Sequence, residues 1–323
     1  MNKILKITLN ILLFLLVVGF GVYMIHSIML EDKIEFSDND SGESQFVSPY
    51  TKSMSFEAAS PILCFDIYGQ NIFAAQSTKV SVFDLSGKPL YYFSIEPHVR
   101  DMVVDSAAVW LLYPTRIEVY SVTGQKSTEW EACSEQSDYC AFTTTKEFVF
   151  VTDAENKNIV QYDKQGRLVR FIKSPQGFII PSYAFDIISI HDTLYCANSG
   201  RHQIESYTLD GTFISSFGKA GTEADAFVGC CNPVYLAKST DGHILTSEKG
   251  TPRISSWSRA GTFREVLLTV KSLGGGTAAY KVRVSGENLY IADKKTISVY
   301  SKGRACPAPT DTTCAGCNAT CPL

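Results

Sequence analysis

Four cysteines lie close together at the C-terminus, in the stretch CPAPTDTTCAGCNATCPL. Cys306, Cys314, Cys317 and Cys321 follow the spacing C-x7-C-x2-C-x3-C-P. Sulfur atoms at such short separations form disulfides, bind a metal ion or hold an iron–sulfur cluster. The choice among these three decides whether the chain transfers electrons.

The last three of these cysteines match the end of the run found in bacterial ferredoxins, C-x2-C-x3-C-P. Cys306 stands too far upstream for the usual fourth ligand, although a longer loop would deliver it. An even number of cysteines in a short Pro- and Thr-rich tail favours disulfides if the compartment is oxidising. Zinc fits less well, because Cys317 and Cys321 form no separate C-x2-C pair. Disulfides are the leading interpretation and the iron–sulfur cluster is the alternative.

A second group of reactive residue types lies upstream. Adjacent Cys230 and Cys231 occur in FVGCCNPVY, and Glu248, Lys249 and Arg253 occur in TSEKGTPR. A thiolate beside Lys249 or Arg253 would have a lowered pKa, and would be reactive or bind a metal. The other interpretation is that the two sulfurs pair with other cysteines and that the three charged residues lie on a solvated loop.

The remaining cysteines fit structural roles. Cys133 and Cys140 bracket the polar segment SEQSD, so they are candidates for a local disulfide. Cys64 and Cys196 fall in strand patterns, where a free cysteine behaves as a small buried hydrophobic residue.

Acidic residues give a weaker indication of chemistry. Asp66, Asp101 and Asp186 fall near the starts of predicted strands. They do not occupy the same position in each repeat of the sequence, which is described below. This argues against a set of calcium ligands of the kind found in calcium-dependent propeller lactonases.

The elements that position these residues follow from an internal repeat. Six segments each end an alternating strand in an aromatic residue and place a glycine shortly after it; successive aromatic residues are 37 to 50 positions apart. The aromatic residues are Phe83, Tyr120, Tyr162, Tyr207, Trp257 and Tyr300, and the glycines are Gly87, Gly124, Gly166, Gly211, Gly261 and Gly303. Several short strands per repeat of this length predict an all-β, six-bladed β-propeller.

The third and fourth repeats contain FVFVTDAENKNIVQYDKQGRLV and LYCANSGRHQIESYTLDGTFISSFGKAG. Both resemble the NHL repeat, in which a strand ends in a small residue and Asp or Asn, a polar loop follows, and an Ile-x-x-aromatic strand comes next. The resemblance covers residues 60–302 and is weakest in the second repeat, where LLYPTR replaces the polar loop. GCCNP together with SEKG is also similar to a pattern in bacterial NHL-type proteins, some of them associated with membrane redox systems. The resemblance implies the fold and no catalytic residue.

The propeller interpretation also predicts how the ring closes. The sixth repeat has three evident strands, and residues 46–58, FVSPYTKSMSFEA, could supply the fourth. This closure would place both chain ends on one face. The loops that carry Cys230, Cys231, Glu248, Lys249 and Arg253 would then meet at the opposite face, near the mouth of the central channel.

The N-terminus predicts a membrane anchor, and a cleaved signal peptide is the alternative, disfavoured because the apolar stretch is long and no small-x-small cleavage site follows it. Lys3 and Lys6 precede an apolar stretch over residues 7–30, and roughly 20 residues of helix suffice to cross a bilayer. Positive charge before this stretch and EDK after it favour a cytoplasmic N-terminus and an extracytoplasmic remainder. We expect an anchor over residues 1–30, an acidic tether over 31–45, the propeller over 46–303 and the Cys-rich tail over 304–323.

Composition and charge limit the function. The net charge is −4, without clustered Lys and Arg, so the sequence does not favour a nucleic-acid partner. The leading hypothesis is a non-enzymatic, membrane-anchored scaffold, periplasmic or on the cell surface, that binds a protein partner or small ligand through its channel-mouth loops. The alternative is a redox component whose tail carries an iron–sulfur cluster or an exchangeable Cys314–Cys317 pair.

Overall fold

A computed structural model of the chain describes residues 13–21, 46–105 and 108–303. Contacts divide the chain between Gln45 and Phe46, and the two parts are described separately. Residues 13–21 are helical. None of the helices in the described ranges is long and apolar enough to cross a membrane. The rest of the predicted anchor, the tether and the Cys-rich tail lie outside the described residues.

From residue 46 onward the regular secondary structure of the described chain is almost entirely β-strand. The first twelve strands are β1 (Tyr50–Glu57), β2 (Cys64–Tyr68), β3 (Asn71–Ala75), β4 (Lys79–Asp84), β5 (Pro89–Ser94), β6 (Asp101–Val104), β7 (Val109–Tyr113), β8 (Arg116–Tyr120), β9 (Lys126–Glu131), β10 (Tyr139–Thr144), β11 (Phe148–Asp153) and β12 (Asn158–Asp163). The next twelve are β13 (Leu168–Ile172), β14 (Ile187–Ile190), β15 (Thr193–Asn198), β16 (Gln203–Thr208), β17 (Phe213–Phe217), β18 (Tyr235–Lys238), β19 (Ile244–Ser247), β20 (Ile254–Trp257), β21 (Phe263–Leu268), β22 (Lys281–Ser285), β23 (Asn288–Asp293) and β24 (Thr296–Lys302). The short helices are Pro181–Tyr183, Ser199–Arg201 and Val270–Leu273.

These strands form six antiparallel sheets of four strands each, so the chain is a six-bladed β-propeller, as predicted. Blades 1 to 5 use consecutive strands from β2 to β21. Blade 6 combines β22, β23 and β24 with β1 in the order β1-β24-β23-β22. Tyr50 pairs with Lys302 and Glu57 pairs with Thr296. The predicted closure of the ring by the N-terminal strand is therefore confirmed.

The aromatic residues of the repeat hold the blades together. A hydrophobic cluster lies between each pair of neighbouring blades, and each cluster contains one of the six repeat aromatics. Phe83, for example, packs with Phe65 of blade 1 and Tyr290 of blade 6. Burial of one large aromatic side chain contributes on the order of 2–3 kcal/mol. Each repeat thus supplies the contact that fixes it to the blade before it.

The repeat glycines also lie at the interfaces between neighbouring blades. Gly87 has φ +83°, and a Cβ atom there would lie 2.3 Å from the Phe56 ring of blade 6. Gly124 has φ +92°, and its Cβ would lie 2.2 Å from Phe93 of blade 1. Left-handed backbone favours glycine in any case. The missing side chain in addition lets the preceding blade's outer strand pack directly over the turn.

Candidate ligand site in the central channel

The innermost strands of the blades, β2, β6, β10, β14, β18 and β22, surround a central channel. Charged residues of blades 1, 2, 4 and 6 line it; among them Asp101 is buried, and Asp66, Asp186, Lys281 and Arg283 are half-buried. We call the part of the channel that lies along these strands and at their last residues the inner chamber. Its volume is about 370 Å³. This size is within the range of small-molecule sites.

Two of the three carboxylates form ion pairs with blade 6. Arg283 Nε lies 2.9 Å from Asp66 Oδ1, and Lys281 Nζ pairs with Asp101 Oδ1. Asp66 also accepts the backbone N–H of Val104 on blade 2 at 2.7 Å. Burial lowers the pKa of Lys281, but Asp101, Cys64, Tyr235 and Asp186 together raise it by more, so that pKa lies above its ordinary value. Both pairs span the channel, and burial raises the pKa of Asp66 above its ordinary value although Arg283 acts in the opposite direction.

Asp186 differs from the other two carboxylates. It accepts the backbone N–H groups of Leu236 at 2.7 Å and Ile187 at 2.9 Å. Within the described ranges no cationic side chain lies close enough to form an ion pair with it. Burial, followed by the nearby charge of Asp101, raises its pKa to about 6. Among these five residues there are three carboxylates and two cations, and Asp186 is the carboxylate that neither cation pairs with.

A second cavity, the mouth pocket, lies where the chain enters the inner strands. Its volume is about 340 Å³, and it shares Asp186 and Lys281 with the inner chamber. Tyr183, which is 59% exposed, and Tyr235 present aromatic rings to it. The Arg100 guanidinium lies 5.8 Å from the Tyr183 ring, and Lys281 Nζ lies 5.5 Å from the Tyr235 ring. The pocket thus combines aromatic surface with buried charge.

The structure brings together part of the second predicted group. Glu248 and Arg253 are both buried, with Nε and Oε1 2.6 Å apart. Arg253 also donates to the Ala226 carbonyl oxygen. Their side chains therefore stabilise the loop before β18 from within. Lys249 is half-buried, so these three residues do not simply lie on a solvated loop. Their role in ligand binding stays a prediction.

Cys230 and Cys231 lie at the mouth face, as their predicted loop requires. Cys230 is exposed, Cys231 is buried, and both are free thiols. Their Sγ atoms are 2.9 Å apart. Because Ser182, which lines the mouth pocket, hydrogen-bonds to Cys231, the pair lies beside that pocket.

The predicted Cys133–Cys140 disulfide is corrected by the structure, in which both thiols are free. Cys133 packs against the cluster between blades 2 and 3, whereas Cys140 packs against the cluster between blades 3 and 4. A register shift between Tyr139 and Ala141 accompanies this separation. The prediction for Cys64 and Cys196 is confirmed, since both are free and buried. Burial raises the pKa of the Cys64 thiol to about 12.

Metal binding was predicted for the tail and, as one interpretation, for the Cys230 and Cys231 thiols. The tail cysteines Cys306, Cys314, Cys317 and Cys321 lie outside the described residues. Within the described ranges no three His, Cys, Asp or Glu side chains are grouped closely enough to hold a metal ion. Asp66 and Asp101 face cations instead of each other.

Sequence reasoning missed the cationic half of the channel. Lys281 and Arg283 alternate with apolar residues in the segment YKVRVS, which forms the inner strand β22. Two cations spaced two residues apart point to the same face of a strand. Here both side chains line the channel, so this spacing could have been used to predict cations in the channel. Tyr183 and Tyr235 had no such signal, because they are single aromatic residues at the end of the short helix Pro181–Tyr183 and at the start of β18.

Comparison with solved structures agrees with this architecture. Virginiamycin B lyase from Staphylococcus aureus superposes with a TM-score of 0.57 at 15% identity, covering 78% of this chain and 99% of that one. A streptogramin B lyase gives a TM-score of 0.54 at 15% identity, covering 79% and 98%. The WD40 domain of Neurospora crassa Pan2 gives 0.54 at 11% identity, covering 81% and 98%. No protein-family model matches the sequence, and no curated protein matches it significantly. These similarities establish the β-propeller fold and nothing about activity.

Proposed function

We propose that this chain is a membrane-anchored, extracytoplasmic binding propeller that takes a basic group of its ligand or protein partner into the mouth pocket. The observation that carries the proposal is Asp186, a half-buried carboxylate without an ion-pair partner in the described ranges, at the junction of the two cavities. An ammonium or guanidinium group would compensate this charge.

The surroundings of Asp186 suit such a group. Lys281 and Arg283 are already engaged by Asp101 and Asp66, so they neutralise the other two carboxylates first. Tyr183 and Tyr235 line the entrance from solvent, where they offer apolar contact area; their rings already lie 5.8 Å from Arg100 and 5.5 Å from Lys281, so Asp186 is the group that compensates the charge of the ligand. Because only the ionised carboxylate attracts a cation, affinity should rise as the pH increases through about 6.

A binding measurement on the full chain tests this function. Isothermal titration with spermidine and with a short arginine-containing peptide would compare the wild type with Asp186→Asn. Loss of a buried charge partner costs about 2–5 kcal/mol, so we expect affinity to fall more than tenfold. Asp192→Asn removes the same charge from an exposed turn of blade 4 and serves as the control. Equal affinities of wild type and Asp186→Asn would overturn the proposal.

The topology supports a mouth that faces away from a membrane. Lys281 begins β22 at the mouth pocket, and successive antiparallel pairings place Tyr50 and Lys302 at the opposite face. An anchor joined ahead of Tyr50 would leave the mouth accessible to a partner at the envelope. An alkaline phosphatase fusion after residue 45 tests the orientation, since activity in a bacterial host requires an extracytoplasmic position. An inactive fusion of normal abundance would contradict it.

The redox alternative rests on the tail sequence, Cys314-x2-Cys317-x3-Cys321-Pro. An absorption spectrum and metal analysis of the chain purified without oxygen tests it. Broad visible absorbance with stoichiometric iron, lost in a Cys314→Ser/Cys317→Ser variant, would establish an iron–sulfur protein. A colourless, metal-free protein without free tail thiols would establish the disulfides.

A further inference from the structure

The adjacent thiols at the channel mouth form an arrangement that the proposed function does not use. The Sγ atoms of Cys230 and Cys231 lie 2.9 Å apart while both residues are unbonded thiols. One thiol is open to solvent and the other is buried. A small reagent therefore reaches Cys230 first, and Cys231 is positioned to react in a second step.

The loop that carries these thiols is held on both sides. Asn232 donates from Nδ2 to the Val228 and Lys249 carbonyl oxygens, and its Oδ1 accepts the Lys249 N–H at 2.9 Å. The buried ion pair of Glu248 with Arg253 lies directly beneath this loop. Glu248 Oε2 accepts the Val228 N–H at 3.3 Å, and Arg253 donates to a carbonyl oxygen of the same segment. The two sulfurs are thus kept in proximity by a rigid frame, which reduces the entropy lost when they react with each other.

The environment of the buried thiol also suits exchange chemistry. Burial raises the pKa of Cys231, while the charge of Lys249 and the hydrogen bond from Ser182 act in the opposite direction. Ser182 and Tyr183 both adopt left-handed backbone with φ +57°. Such conformations in residues other than glycine cost on the order of 1–3 kcal/mol and cluster at functional positions. Here they place a hydroxyl group against the thiol pair.

We propose that Cys230 and Cys231 are a redox-active dithiol that reacts with low-molecular-weight disulfides and closes reversibly to a vicinal disulfide. The Cys230 thiolate attacks one sulfur of the small disulfide, forming a mixed disulfide and releasing one small thiolate. Cys231 then displaces the second small thiolate and forms the Cys230–Cys231 bond. The two protein thiols lose two electrons, the small disulfide gains them, and the two protons pass to the released thiolates.

The spacing of adjacent residues makes this bond a switch and not a permanent crosslink. Neighbouring Cα atoms are about 3.8 Å apart across a trans peptide, whereas disulfides usually join Cα atoms about 4.4–6.8 Å apart. The strain of a shorter span makes a disulfide easier to reduce. A vicinal bond between Cys230 and Cys231 should therefore open again at a modest excess of small thiol, within the loop that borders the mouth pocket.

The test uses the wild-type full chain, incubated with glutathione disulfide, alkylated and digested with trypsin without reduction. The peptide spanning residues 220–238 contains Cys230 and Cys231 and no other cysteine. We expect this peptide to lose two hydrogens, to carry neither alkyl groups nor glutathione, and to accept two alkyl groups after dithiothreitol. Full alkylation before reduction would overturn the proposal, as would retained glutathione or a link to another cysteine-containing peptide.

Two variants separate the roles of the thiols. In Cys231→Ser the second step is blocked, so glutathione should remain on Cys230. In Cys230→Ser the buried thiol should stay unmodified under the same conditions. Unmodified Cys230 in the first variant would contradict its role as the attacking thiol. These outcomes do not depend on binding of a basic ligand, so a failed binding test at Asp186 leaves this proposal standing, and the reverse also holds.

Discussion

The three channel aspartates show how environment separates residues of one type. Asp66 and Asp101 each face a cation, whereas Asp186 meets only backbone N–H groups and the field of its neighbours. Backbone donors stabilise the carboxylate less than burial and Asp101 destabilise it, which leaves the pKa of Asp186 raised to about 6 from an ordinary value of 3.8. The residue is therefore charged at neutral pH at a cost to stability.

This cost predicts a pH dependence. Because the pKa of Asp186 is higher in the folded chain than in the unfolded chain, its protonation stabilises the fold below pH 4, and this contribution disappears as the pH rises through about 6. Asp186→Asn should remove this dependence. Relative to that variant, the wild type should lose on the order of 3 kcal/mol of unfolding free energy between pH 4 and pH 7, at about 1.4 kcal/mol per pKa unit.

Urea unfolding of both proteins at the two pH values measures the difference. Asp101, Asp66, Lys281, Arg283 and Tyr235 also act on this part of the channel, but they are common to both proteins. Parallel pH profiles for wild type and Asp186→Asn would contradict the prediction.

For single residues, the sequence could indicate the acidic residues of the channel but not which of them form ion pairs. Lys281 is 180 residues from Asp101, and Arg283 is 217 residues from Asp66. Only closure of the ring brings these pairs together. The burial of Glu248 and Arg253 could not be predicted from the sequence either, because the loop that covers them has no hydrophobic periodicity of its own.

At the scale of the element, the turn between the third and fourth strands is the feature that recurs from blade to blade and packs each blade against the one before it. Its glycine adopts left-handed backbone and lies against the outer strand of the preceding blade. For the glycines of blades 1 to 5, the contacting residues belong to blades 6, 1, 2, 3 and 4 in that order; they are Phe56, Phe93, Trp130, Ile172 and Phe217. The sequence showed the glycines but not this contact, because the partner belongs to a different repeat.

Gly124→Ala tests this device. Its Cβ would lie 2.2 Å from Phe93 Cβ in a backbone with φ +92°, so both strain and steric overlap should destabilise the protein, by about 2–4 kcal/mol in total. Gly177→Ala is the matched control, since φ is +79° there and no atom lies within 4 Å of the added Cβ. It should cost only about 1–2 kcal/mol. Guanidinium unfolding measures both variants, and equal losses would argue against interblade packing as the reason for the glycine.

The loop before β18 gives a second prediction at this scale. Arg253→Met leaves the buried Glu248 carboxylate without its cation, which should destabilise the chain by about 3–5 kcal/mol. The exposed pair of Lys295 with Glu57, with Nζ and Oε2 2.7 Å apart, is the control. Lys295→Met should cost at most about 1 kcal/mol. Unfolding free energies of the two variants decide the point, and a small loss in Arg253→Met would mean that the ion pair does not hold the loop.

For the whole molecule, the sequence predicted the fold well because one repeat unit carries its own signature. Each unit shows its aromatic residue and its glycine, and each aromatic residue occupies a different interblade cluster. The candidate site has no such redundancy. Its charged residues come from blades 1, 2, 4 and 6, so their convergence follows from the ring and not from any repeat.

Ring closure itself leads to the last prediction. β1 is the outer strand of blade 6, and its Phe56 also packs against blade 1 beside Phe83 and Gly87. Deleting residues 46–57 should therefore expose the edge of β24 and open the contact between the first and last blades. We expect a loss of about 3–5 kcal/mol, comparable to deleting a large core side chain, together with aggregation through the free edge.

An equally long deletion over residues 34–45, in the predicted tether, is the control and should leave thermal unfolding unchanged. A synthetic peptide of residues 46–58 added to the shortened chain should restore its melting temperature in a concentration-dependent way, because binding to the folded state alone stabilises it by mass action. If the shortened chain melts as the wild type does, the ring is held by the other interblade contacts and β1 only covers an edge. Rescue by the peptide would show that closure by this strand stabilises the propeller as a unit.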